Sequence, residues 1–147
     1  MQVQLTNEER NWAMAGHLSA LVAVVGLPFG HVIGPLIVYL VKGGESAFVA
    51  AHARASLNYQ LTISLVGIVA VVVGMVFFFT TIFGLAVADH SKHATDAIAF
   101  GAASLGLVAG IIVLLCIALS IVFIIMGTVA AGEGRPFTYP FSIRFLR

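Results

Sequence analysis

Charge is what this chain has least of. Asp, Glu, Lys and Arg make up 9% of its 147 residues, and none lies between Asn11 and Val41, Ala55 and Ala88, or Ala97 and Gly132. Those runs of 31, 34 and 36 residues leave every formal charge in the two ends and two short connectors. Such a distribution excludes a water-soluble globular surface, which needs polar side chains all round. Cysteine is almost missing as well: Cys116 stands alone inside the third run, which excludes an intrachain disulfide and predicts a small buried hydrophobe. Only six acidic residues are present, no Ser or Cys has a His and an acid arranged about it, and no glycine loop has phosphate-binding spacing. These absences predict neither an enzyme nor a cofactor. The seven Lys and Arg are scattered over four segments, which excludes a nucleic-acid footprint. Residues 1–10 hold Glu8 and Glu9 and one basic side chain, so the positive start of a secretory signal is missing and the first helix is expected to stay attached.

What is there is apolar: 61% hydrophobic residues and a mean hydropathy of +1.10. About 20 apolar residues cover the roughly 30 Å hydrocarbon core at 1.5 Å per helical residue, so the chain reads as an integral membrane protein. The fold class predicted is all-α, with four transmembrane segments in one domain, residues 1–147. The first helix covers 6–26, a short second helix 34–42, an interfacial lead-in and third helix 46–88, a fourth helix 97–131, and an extended cytoplasmic tail 133–147. Thr6 with Glu9 is a capping box that starts the first helix, and Trp12 marks an interface. Gly26, Pro28, Gly30, Gly34 and Pro35 break the first run into a short hairpin, its second arm opening at Pro35. A hairpin gathers Arg10, Lys42, Arg54, Arg135, Arg144 and Arg147 on one side and leaves Lys92 opposite. The positive-inside rule then places both termini in the cytoplasm of a bacterial inner-membrane protein.

Four groups of residues are candidates for function. His17, Asn58, Gln60 and Thr62 fall at a similar depth just inside the cytoplasmic face, where hydrocarbon offers no partners. They predict an interhelical hydrogen-bond network, or a polar cavity with His17 as its ionisable member. His52 and Arg54 are expected to snorkel at the headgroups. Asp89, His90, His93 and Asp96 space two imidazoles three apart between carboxylates, a set that suits a divalent transition metal and equally a solvated loop. Ala102, Gly106 and Gly110 form a small-residue stripe, extended by Gly127 and Ala131, that lets helices approach closely. Packing within the chain is its expected use, and a homo-oligomer is the alternative. The tail from Phe137 to Phe145 alternates with a period of two, predicting an extended strip with one aromatic face at the inner interface. Besides other copies of itself, the lipid bilayer is the one expected partner.

Trp12-Ala13-Met14 with His17-Leu18-Ser19, Gly34-Pro35-Leu36-Ile37, Glu45-Ser46, Phe48-Val49, His52-Ala53 and Leu57-Asn58-Tyr59-Gln60 form an ordered set, closed by Tyr139-Pro140 and Ile143-Arg144-Phe145. The set resembles a family of small bacterial inner-membrane proteins of mostly unassigned function. It is similar, more distantly, to the channel-like subunit of the chloroplast inner-envelope import translocon and to magnetosome-membrane proteins that influence magnetite growth. The resemblance implies a four-helix membrane fold, a hairpin-like start and self-association. A small channel- or transporter-like module is the function expected from it, and a membrane scaffold or assembly factor is the alternative.

Overall fold

The computed structural model describes residues 4–25, 29–87 and 92–147, with the backbone alone at 23–25 and 92–94. Thr6 opens the first helix, α1 (Asn7–Leu18), through the capping box expected: its hydroxyl accepts the Glu9 N–H at 3.2 Å, and the Glu9 carboxylate accepts the Thr6 N–H at 2.9 Å. The backbone then tightens into a 3₁₀ helix, Ser19–Val25. The second helix, α2 (Gly30–Lys42), starts five residues before Pro35. Phe29, in the left-handed region at φ 59°, turns its carbonyl onto the N–H groups of Val32 and Ile33 at 2.9 and 3.0 Å and so nucleates the helix. Pro35 therefore lies inside α2, at the cost of one missing bond in its second turn.

Ser46 caps the third helix, α3 (Ala47–Val87), by accepting the Val49 N–H at 3.4 Å. No separate lead-in precedes α3, because its first turns already carry buried side chains. The fourth helix, α4 (Lys92–Gly132), begins five residues earlier than the charge pattern suggests. Its end is a Schellman turn: Gly134 at φ 72° lets Arg135 N–H reach the Ala130 carbonyl at 2.9 Å, and its own N–H reach that of Ala131 at 3.1 Å. Among the described residues there is no strand.

Two helices, Ala47–Val87 and the 95–132 part of α4, are long and apolar enough to cross a membrane. The expectation of four crossings finds no support, because α1 and α2 have 12 and 13 residues. At 1.5 Å per residue that is about 18 and 20 Å, short of a hydrocarbon core of roughly 30 Å.

The chain divides into two compact units, Met1–Ser64 with Leu119–Arg147, and Leu65–Ala118. The first has a true core: Val38, Val49 and Ala53 are buried, and Trp12, Ala15 and Tyr39 pack on them. Small residues set how closely its parts meet. A Cβ on Gly34 would stand 2.5 Å from the Ser19 carbonyl oxygen, and one on Gly16 would stand 3.4 Å from the Ala53 Cα. The second unit holds helical segments 65–87 and 92–118, whose described side chains are almost all exposed apolar groups. Cys116, expected to be buried, is exposed on that surface.

Candidate functional site

The polar side chains of the first unit are organised around its C-terminal tail. α1 supplies His17, fully buried, whose Nδ1 lies 2.8 Å from the Tyr139 hydroxyl and whose Nε2 lies 2.8 Å from Nδ1 of His52 on α3. An imidazole pair joined through facing nitrogens holds one proton between them, since a second would set N–H against N–H. At least one of the two rings is therefore neutral, or the contact breaks. Tyr139 also stacks on Tyr59, with ring centroids 4.3 Å apart and planes 14° from parallel, and Phe137 meets both His17 and Tyr139 edge-on. Tyr59 in turn shares a 3.1 Å hydrogen bond with Ser120 of α4. A Cβ on Gly127 would stand 2.9 Å from the His17 ring, so α4 closes over the chain only because that residue has no side chain.

A second set of bonds lies farther along α3. Asn58 donates its amide to the Leu146 carbonyl at 3.0 Å and accepts the Leu146 N–H at 2.8 Å. The same side-chain amide thus pairs both backbone groups of one tail residue, as a neighbouring strand would. One turn on, Thr62 accepts the Ile143 N–H at 2.9 Å and donates to the Asn58 carbonyl at 2.7 Å. The tail alternates inward and outward as far as Tyr139. At Phe141, φ is 61° and the ring is exposed, and Ile143 and Phe145 follow half-exposed. A single aromatic face from Phe137 to Phe145 is thus not formed, because Pro140 and Phe141 turn the chain.

A charged collar borders this unit. The Ser46 hydroxyl donates to Glu9 at 2.7 Å, which ties the start of α1 to the start of α3. Hydrogen bonds from the Thr6 backbone, the Ser46 hydroxyl and the Thr6 hydroxyl hold the Glu9 carboxyl below its ordinary value. Lys42 meets Glu45 at 2.7 Å and Glu8 at 3.2 Å and lies 5.7 Å from the centre of the Trp12 ring. Hydrogen bonds to Glu45 and then Glu8 hold its ammonium above the usual lysine value.

The four residues grouped by depth are divided by the structure. His17 joins the His52–Tyr139 chain, Asn58 and Thr62 hold the tail, and Gln60 is buried with its amide nitrogen unpartnered while its backbone carbonyl accepts from Ser64. His52 does not snorkel: it is 1% exposed. Its position was legible in one signal, the i, i+4, i+7 spacing that puts His52, Ser56 and Tyr59 on one face of α3. No comparable signal marks Tyr139, whose hydrogen-bond partner His17 and stacking partner Tyr59 are 80 or more residues away. Asp89, His90 and the side chain of His93 lie outside the described residues, and Asp96 is exposed on α4. Among the described residues no three His, Cys, Asp or Glu come together as metal ligands. The small-residue stripe also divides. Gly127 and Ala131 pack against their own chain, whereas no described atom lies within 4 Å of where a Cβ on Gly106 or Gly110 would stand.

Two long apolar helices joined to a polar-cored unit define a helical membrane protein. The chain belongs to the magnetosome magnetite crystal formation protein family, which it matches over residues 8–146. No curated protein and no solved structure matches it.

Proposed function

We propose that this chain serves magnetite crystal formation as a non-enzymatic membrane scaffold of the bacterial inner membrane, with both termini cytoplasmic. The observation that carries this reading is how the polar side chains of the first unit are used. His17, Asn58 and Thr62 are spent on fastening the tail to the helices. A transport route needs such groups turned toward water, and a catalytic centre needs them free for substrate. Segments 65–87 and 92–118 measure about 35 and 40 Å at helical rise, enough for two crossings. Two crossings return the chain to the side it started from, and the positive-inside rule makes that side the cytoplasm. The exposed apolar residues of α2, among them Ile33, Ile37, Leu40 and Val41, suit a hairpin that enters the inner leaflet without crossing it. Self-association through the face that carries Ala102, Gly106 and Gly110 belongs to the same reading.

A channel-like role, on the pattern of the import-translocon subunit the sequence resembles, is the second reading. It draws on the continuous His52–His17–Tyr139 chain, which has the makings of a proton path. Proteoliposomes loaded with dyes for protons and ferrous iron separate the two. A scaffold leaves both signals at the level of empty liposomes, while protein-dependent flux of either ion overturns the scaffold reading.

A further inference from the structure

Between the start of α3 and the tail lies an open groove of about 550 Å³, wholly within the first unit. Its wall has two characters. Phe48, Phe137 and Leu146 supply apolar surface, and Arg54 and Arg144 supply nitrogen donors. No carboxylate is among its described lining residues. Neither arginine has a carboxylate within ion-pairing distance among the described residues, in contrast to Lys42 and Arg135 of the same unit, which have acidic partners. Arg54 spends only its Nε, on the Ala50 carbonyl at 3.3 Å. A groove with two uncompensated guanidinium groups has the donor set for an anion.

Depth narrows the anion to a lipid. Arg54 is the last charged residue before the 34 uncharged residues that begin at Ala55. With the crossing at 65–87, both guanidinium groups belong to the cytoplasmic side of the membrane, where the leaflet is anionic. The tail is pinned there by Asn58 and Thr62, so Arg144 is carried to the same rim as Arg54. We propose that this groove binds one anionic phospholipid of the cytoplasmic leaflet, its phosphate against Arg54 and Arg144 and an acyl chain along Phe48, Phe137 and Leu146. This goes beyond the scaffold role and rests only on the cytoplasmic placement of the first unit in that reading.

The test is thermal melting of the purified full chain in neutral detergent, with short-chain phosphatidylglycerol, phosphatidylcholine of equal chain length, or inorganic phosphate added. Phosphatidylglycerol should raise the melting temperature in a saturable way, and the other two should not. Arg54→Gln with Arg144→Gln should weaken the response at least about tenfold in lipid concentration, as the loss of a charge-assisted hydrogen bond requires. Arg135→Gln with Arg147→Gln, which removes the same charge away from the groove, should leave it unchanged. Four results overturn the proposal: equal response to phosphatidylcholine, the full response from phosphate alone, a response retained by the groove variant, or one lost equally in the control variant. Should the glutamine pair fail to fold, native mass spectrometry of the wild-type chain in an equimolar mixture of the two lipids decides. One phosphatidylglycerol retained per chain supports the site, and unselective retention refutes it.

Discussion

Asn58 shows what a single polar residue does inside an apolar helix. Alone in lipid its amide would leave four hydrogen-bonding positions empty; here it satisfies the N–H and the carbonyl of Leu146, backbone groups that otherwise lack a ladder partner. Leucine at this position fits the volume but answers neither group. Asn58→Leu is expected to cost about 0.6 to 2 kcal/mol and to free the last residues of the tail first. A lower melting temperature in detergent, with carboxypeptidase removing residues from Arg147 inward at a faster rate, checks it. Unchanged melting and unchanged digestion would mean that the tail is held elsewhere. The same logic explains why the sequence misplaced His52. A histidine two residues before an arginine looks like a headgroup residue, and only its helical phase with Ser56 and Tyr59 says that it points the other way.

At the scale of elements, glycine has opposite meanings in different stretches of the chain. Gly34 and Gly127 are contact residues: the first lets α2 meet the Ser19 carbonyl, and the second lets α4 meet the His17 ring. At Gly106 and Gly110, on the same helix as Gly127, a Cβ would meet no described atom beyond the backbone of its own helix. Alanine should therefore act differently at each. Gly34→Ala forces a Cβ into backbone, which cannot swing away, and is expected to destabilise by about 1 to 3 kcal/mol. Gly106→Ala is expected to stay within about 0.5 kcal/mol, or to stabilise slightly through helix propensity. Denaturation of the two variants in the same detergent checks the pair, and an equal loss at both positions would show that the stripe is packed within the chain. Sequence alone placed Gly106, Gly110 and Gly127 on one footing, because a small-residue spacing says that a close approach is permitted and not that one occurs.

For the whole molecule, the expected topology is two crossings with a polar-cored unit on the charged side. Alkaline phosphatase or fluorescent-protein reporters fused after Gly44 and after Arg147 should both report cytoplasm, and a reporter between α3 and α4 should report the opposite side. Gly44 and Arg147 on opposite sides would rule out both the hairpin and the assignment of one face to the first unit. Six basic residues against one make the expected orientation the favoured one.

The sequence by itself determined the solvent of this protein, the start of α1 and the helical class, since each depends on local content: charge-free runs, the Thr6–Glu9 box, the spacing of glycine and proline. Its errors have one physical origin. The burial of His52, the anchoring of the tail and the fate of each glycine depend on what arrives from far along the chain. Tyr139 lies 122 residues from His17, and Leu146 lies 88 from Asn58. Only the tertiary structure brought the tail back to α3, and with it decided that the buried polar groups bind backbone and side chains of their own chain.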